Sequence, residues 1–345
     1  MEQKNFDPDG VGVDNGTYFG LPFAPETAEL VLISAPWDVT VSYGAGAAYA
    51  PDAIIEASTQ LDFHDPLAPG VWRRGIATAD VDYSLLESSQ RLRADAARVI
   101  DHLEGGGCLE DDYVVRKVRR VNEGCMSMNA NVGAQASRWL DAGKTVGLVG
   151  GDHSTPYGLV QALGERGEGF GILHIDAHCD LRDAYEGFEF SHASIMFNVL
   201  RDVPSVKKIA QVAVRDFSGT EAALAASSAR VATFDDLSLA AAMFRGETWD
   251  ALCRRIVDAL PQEVYVSFDI DGLTFENCPH TGTPVCGGLT FNQAVWLLDT
   301  LVRSGRRIIG FDVVEVAPAP EAKVDAITGA RMLWKLCNFC LLYTS

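Results

Sequence analysis

The chain is short of positive charge and has no long apolar run, and each shortage removes a class of function. Lysine and arginine number 28 against 47 aspartates and glutamates, a net charge of -19. No basic stripe is available for phosphates, so nucleic acid is not an expected partner. An acidic field draws in a cationic small molecule instead. No stretch approaches the ~20 apolar residues that a membrane span requires, so no membrane partner is expected either. Met1 to Gly10 is polar and acidic, without the basic start and apolar middle of a leader. A soluble, cytoplasmic protein is the expectation. Internal repeats and low-complexity tracts are also missing. The eight cysteines are scattered, and the one Cys-x-x-Cys, Cys337 to Cys340, lies on a terminal helical pattern without a second pair. Reduced thiols therefore fit better than a zinc or disulfide framework.

What is present is a large apolar content, 48%, enough for a sizeable core. β-Branched apolar runs alternate with helical periodicity. Strands are expected over Glu29–Ser34, Gly75–Ala79, Thr145–Val149, Gly171–Ile175, Lys208–Val214, Arg230–Phe234, Val264–Ile270 and Arg307–Val314. Helices lie between them, among them Pro51–Gln60, Asp111–Ala142, Trp249–Leu260, Phe291–Ser304 and Glu321–Leu341. Such alternation predicts an α/β fold with a mainly parallel central sheet covered on both faces. The glycine run Gly105–Gly107 reads as a loop within one domain. The expected organisation is a flexible extension over residues 1–28, a single domain over 29–340, and a tail, 341–345, to which no function is assigned.

Three short segments carry the chemistry. Gly150-Gly151-Asp152-His153-Ser154, Asp176-Ala177-His178-Cys179-Asp180 and Asp269-Ile270-Asp271 each follow or end an expected strand. Ligands in open parallel sheets bind at the carboxyl ends of strands. Asp176, His178 and Asp180 are spaced by two, as are Asp269 and Asp271, so in extended chain each set shares one face. His153 enters from a glycine turn. Four carboxylates and two imidazoles are a donor set for manganese, with nickel, cobalt or iron as substitutes. Four clustered negative charges repel unless cations cancel them, and two divalent ions do so. Two such ions ~3.5–4 Å apart can hold a hydroxide for metal-assisted hydrolysis.

In order, these segments resemble the arginase–agmatinase (ureohydrolase) family, whose marks are Gly-Gly-Asp-His, Asp-Ala-His-x-Asp and Ser-x-Asp-x-Asp followed by Thr-Gly-Thr-Pro. The last two stand here as Ser267-Phe268-Asp269-Ile270-Asp271 and Thr281-Gly282-Thr283-Pro284. The resemblance covers roughly residues 29–340. It implies a three-layer α/β/α sandwich, a homotrimer or hexamer, and two Mn2+ ions, with Ni2+ an alternative. His153 and Asp180 would ligate one ion, His178 and Asp271 the other, and Asp176 and Asp269 both. It also implies that His192 stands near the leaving group, where a neutral-range pKa would let it protonate the departing amine. Glu315, in Val313-Val314-Glu315-Val316, would pair with the substrate guanidinium. Asp180 counts with His192 and Glu315 among the catalytic groups.

Urea release from a guanidino compound follows, with agmatine going to putrescine as the first expectation. Guanidinase, guanidinobutyrase or formimidoylglutamase activity are alternatives in the same family. A non-catalytic homologue or a two-metal deacetylase are alternatives outside it. The chain departs from the family in places. Asp180 is followed by Leu181-Arg182 where arginases place an asparagine, which argues against L-arginine. Ala193 follows His192 where agmatinases have glycine, and Thr274 stands where an aspartate is common. If Arg182 faces the pocket it favours a carboxylate-bearing guanidine; if not, it is a solvated charge. The Trp37–Tyr43 segment resembles a guanidine-active, nickel-dependent lineage, or is a plain βα-loop.

Overall fold

The computed structural model describes residues 6–319 and 321–342. Eight strands form one parallel sheet: β1 (Leu30–Ala35), β2 (Ile76–Thr78), β3 (Thr145–Gly150), β4 (Phe170–Ile175), β5 (Val206–Val212), β6 (Val231–Phe234), β7 (Glu263–Asp269) and β8 (Arg307–Val314). Their spatial order is β2-β1-β3-β8-β7-β4-β5-β6, and every pairing is parallel. All eight lie at the expected places, shifted by a few residues at their ends.

The central strands are apolar on both faces because helices cover both. Leu30 and Leu32 of β1 join a core with the helices α1 (Ala50–Ser58), α8 (Trp249–Asp258), α9 (Phe291–Arg303) and α10 (Val324–Leu342). Val31 and Ile33, pointing oppositely, join a second core with α2 (Tyr83–Glu104), α3 (Asp112–Asp141), α4 (Tyr157–Gly164) and α5 (Ile195–Asp202). The period-two alternation of a strand feeds both layers, and the result is the α/β/α sandwich that was expected. Two further helices, α6 (Gly219–Ser227) and α7 (Asp236–Phe244), flank the β6 edge.

The flexible extension expected over residues 1–28 needs correcting from residue 6 onward. Tyr18 and Phe19 are 1% exposed, and the Tyr18 hydroxyl meets Ser34 Oγ at 2.8 Å. Phe6 stacks near Phe63 and Trp72. Aromatic burial ties this segment to the domain. The expected tail also differs: Leu341 and Leu342 belong to α10, and Arg74 donates to the Leu341 carbonyl. Residues 343–345 lie outside the described residues. No helix among the described residues is long and apolar enough to cross a membrane.

Candidate functional site

Four adjacent central strands, β3, β8, β7 and β4, carry the candidate residues beyond their carboxyl ends. His153 leaves the turn after β3, which Gly151 makes possible: a methyl there would overlap the Trp37 carbonyl. Asp176, His178 and Asp180 follow β4, Asp269 ends β7, and Asp271 sits in the short turn Ile270–Gly272. Glu315 comes directly after β8. Asp180 and Glu315 hold left-handed backbone, φ 53° and 61°, at a cost of order 1–3 kcal/mol each. Hydrogen bonds hold them there: the Asp180 carbonyl accepts from the Met196 and Phe197 amides, and the Glu315 amide donates to the Gly151 carbonyl at 2.8 Å.

The six residues singled out as ligands come together in two lobes. In one, His153 Nδ1 lies 2.9 Å from Asp176 Oδ2, 3.0 Å from Asp180 Oδ2 and 3.2 Å from Asp269 Oδ2. In the other, His178 Nδ1 lies 3.2 Å from Asp271 Oδ2 and 3.4 Å from Asp176 Oδ1. Asp176 thus gives one oxygen to each lobe. All six are buried except His178, which is partly open to the cavity described below.

Two buried atoms, His153 Nδ1 and Asp271 Oδ2, one in each lobe, make ion-pair approaches of 2.9–3.2 Å but no well-angled hydrogen bond. Unpaired buried polar atoms cost roughly 1–3 kcal/mol apiece. A cation in each lobe removes both penalties. The other ring nitrogen of His153 meets Ser267 Oγ at 2.8 Å, leaving Nδ1 for a metal. Carboxylate oxygen with imidazole nitrogen is a donor set for first-row divalent ions, so the residues fit the metal pair.

The titration pattern says the same. Burial, then Asp271 and Asp176, push Asp269 well above the usual carboxylate range. Burial, then Asp176, raise Asp180 to about 6. Burial alone would lower His178, but Asp271 and Asp176 outweigh it and push it up to about 12. Burial opposes ionisation of Asp176 as well, yet His174 and His153 carry it well below 3.8. Protons gather where the site lacks positive charge, and metal ions displace them. Loading with Mn2+ at about 1,000 times its Kd adds ~4 kcal/mol per ion. For 345 residues that raises the midpoint by about 5 °C per ion. Scanning calorimetry of chelated and reloaded protein checks this; an unchanged midpoint at millimolar Mn2+ contradicts the site.

Sequence reasoning missed His174, inside β4. It is fully buried, with Nε2 2.8 Å from Asp176 Oδ2. The Gln211 amide nitrogen faces Nδ1 at 3.3 Å and donates to the Cys179 carbonyl at 2.6 Å, so Nδ1 accepts and Nε2 carries the proton toward Asp176. His174 therefore orients a ligand carboxylate. Arg215 was missed too. Its guanidinium donates to the carbonyls of Asp271 (2.6 Å), Val285 (3.0 Å) and Cys286 (3.1 Å), tying a ligand's backbone to the loop that walls the cavity.

That cavity, about 390 Å³, opens onto His178 and Asp180 and is also lined by Ser42, Tyr43, Arg182, Tyr185, His192, Asp216, Glu221 and Thr283–Val285. His192 sits on it in a short turn. Its amide donates to Thr40 Oγ1 at 3.1 Å, and its ring stands edge-on to Tyr185. The neutral-range pKa expected for His192 is not what its surroundings give. Burial, then the His178 and His153 charges, lower it to about 3, so the ring is neutral at pH 7. Glu315 does not line the cavity. Its Oε1 accepts from the His153 amide at 2.8 Å, and Gly282, whose carbonyl accepts from the Gly44 amide at 2.9 Å, lies beside its Oε2. Of the Trp37–Tyr43 segment, Trp37 to Val41 are buried and only Ser42 and Tyr43 reach the cavity. Thr274 organises its own turn, accepting from Asn277 Nδ2 at 2.7 Å, away from the cavity.

Comparison with known proteins adds four findings. A family profile described as the Arginase family matches residues 28–338. An N(1)-aminopropylagmatine ureohydrolase of Thermus thermophilus is 30% identical over 310 residues, 90% of this chain and 89% of that one. An agmatinase of Pyrococcus horikoshii is 28% identical over 89% of this chain and 90% of its own. Among solved structures, the proclavaminate amidino hydrolase of Streptomyces clavuligerus superposes with a TM-score of 0.71 at 21% identity, over 94% of this chain and 97% of that one, a likeness of fold.

Proposed function

The chain belongs to the arginase family, whose members are metal-dependent hydrolases of guanidino compounds, and from that premise we propose a binuclear ureohydrolase built on the two lobes. The reaction adds water across a guanidinium carbon and breaks one C–N bond, giving urea and an amine. His153, Asp180, Asp176 and Asp269 would hold one ion, and His178, Asp271, Asp176 and Asp269 the other. Manganese suits this mixture of carboxylate and imidazole, with nickel as the alternative. Such a pair, when bound, ionises water near neutral pH and polarises the carbon under attack. On the relatives' names, agmatine is the first candidate substrate, with putrescine as the amine.

The protein's own groups do the rest. Ser267 and His174 fix the orientation of His153 and Asp176 through bonds of 2.8 Å each. His192, neutral at rest, would take the proton given up by the attacking water and pass it to the departing amine nitrogen, which leaves poorly as an anion. Glu315 supplies a carboxylate for the cationic guanidinium. Thr40 holds His192 in place through its amide. For assembly we propose the homotrimer or hexamer that the resemblance implies. Leu237 and Phe244 of α7, 76% and 86% exposed, are apolar surface a subunit contact would cover. The compartment we propose is the cytoplasm, which suits a chain whose eight cysteines are all free.

The observation that carries the hydrolase reading is the convergence of His153, Asp176, Asp180 and Asp269 in one lobe and His178, Asp271 and Asp176 in the other. The test is urea release from agmatine, N1-aminopropylagmatine, 4-guanidinobutyrate and guanidine after loading with Mn2+ or Ni2+. Urea from at least one guanidine is expected; urea from none, with both ions bound, ends the reading.

A further inference from the structure

The wall of the cavity away from the metal lobes carries a cation with unused donors. Arg182 lies two residues past Asp180, so their Cα atoms are within ~7 Å and a short substrate spacer joins the two ends. Its Cζ lies over the Tyr185 ring, 4.4 Å from the centroid, a cation–π contact that leaves the Nη donors without a hydrogen-bond acceptor among the described residues. Among the described residues its one ion pair within 4 Å is with Glu221, Nε to Oε2 at 3.6 Å, too long for a hydrogen bond, while the charge of Glu186 acts on it from farther away.

Two acids share this wall and have to be weighed. Glu221 is occupied: Oε1 accepts from the Leu181 amide at 3.2 Å, and Oε2 from the Ser218 amide and hydroxyl at 2.9 and 2.8 Å. It caps α6 and offers little to a ligand. Asp216 is exposed, where water and salt screen its charge. The half-buried Arg182 fork is thus the strongest unsatisfied group facing the far end of a bound guanidine. A planar guanidinium with free Nη donors pairs best with a carboxylate, through two parallel hydrogen bonds.

We propose that Arg182 reads a carboxylate at the distal end of the substrate, so that this site favours an ω-guanidino acid over a guanidine ending in an amine. The inference rests on the ureohydrolase reading and sharpens it against the order the relatives' names suggest. Ser42, Tyr43 and Val285 line the same cavity of about 390 Å³ as Arg182. A terminal ammonium there meets a fixed positive charge, and a carboxylate meets donors already in place.

The test compares kcat/KM for urea release from 4-guanidinobutyrate and agmatine, in the metal-loaded parent and in Arg182→Gln and Arg182→Lys. The parent is expected to favour the acid by at least ~10-fold. Arg182→Gln is expected to cost the acid roughly 30-fold, mainly in KM, and to raise agmatine turnover severalfold as a repelling charge goes. Arg182→Lys keeps part of the preference for the acid, since the charge stays and the fork does not. Agmatine ahead of the acid in the parent, or an Arg182→Gln variant that slows both alike or leaves their order unchanged, overturns the inference. Urea from neither guanidine overturns the hydrolase reading, and this inference with it.

Discussion

Replacing Asp176 with asparagine is expected to cut urea release at least ~1,000-fold, the several kcal/mol that metal-assisted charge stabilisation supplies, and to leave at most one transition-metal ion per chain. The side chain is fully buried and both oxygens are engaged. Oδ2 faces His153 Nδ1 at 2.9 Å and His174 Nε2 at 2.8 Å, while Oδ1 accepts from the His178 amide at 2.6 Å. An asparagine has one acceptor oxygen, so its NH2 must face either the His174 N–H or the His178 N–H. A donor then opposes a donor in a buried place, at a cost of about 1–3 kcal/mol in stability. Elemental analysis beside a urea assay reads both effects, and circular dichroism shows whether the fold is kept. Two ions per chain with activity within a factor of ten of the parent would falsify the role given to Asp176.

Glu315→Gln separates substrate binding from metal binding. The amide oxygen of a glutamine can still accept from the His153 amide, so the turn after β3 keeps its shape and both ions stay bound. What goes is charge. Burial first, then Asp152, push the Glu315 carboxyl well above its ordinary range, so it holds its charge best with a cation beside it. A guanidinium is that cation in the proposed complex. Losing one member of a buried ionic pair costs roughly 2–5 kcal/mol, a drop in kcat/KM of about 30-fold to several thousandfold. Metal content should be that of the parent. Glu315 is 3% exposed and does not line the cavity, so a guanidinium reaches it only if neighbouring groups move. Near-parental kcat/KM in Glu315→Gln would remove Glu315 from substrate binding.

Much of this architecture can be read before folding, for physical reasons that also explain the gaps. The strands are apolar on both faces and flanked by turn residues, so their runs stand out whatever surrounds them. The three ligand segments are visible because acids and histidines recur every second residue just past apolar runs, although Asp180 sits in left-handed backbone and Asp271 in a helical turn rather than in extended strand. His174 obeys the same spacing, two residues before Asp176, but is hidden inside the apolar run Ile172–Ile175. Helix α4 was not named because Tyr157, Leu159, Val160, Ala162 and Leu163 bury it on nearly every side, leaving no polar stripe. Alanine-rich α6 and α7 show little sidedness. In α2, Ser89 and Asp95 occupy buried positions and break the stripe; Ser89 is there to meet Asp38. Thr40 lies 152 residues from His192, and Arg215 is 56 residues from Asp271, so only the folded chain shows what they hold.

The strand order has a bearing on how this molecule is born. The eighth strand to leave the ribosome is inserted between the third and the seventh, at the middle of the sheet. Until it arrives, β3 and β7 each present an unpaired edge, and non-local parallel pairing of this kind is slow and prone to aggregation. His153 waits for the same event, since its backbone bond to Glu315 spans 162 positions. Chains ending before residue 307 therefore lack both the strand that joins β3 to β7 and the carboxylate that holds the His153 amide.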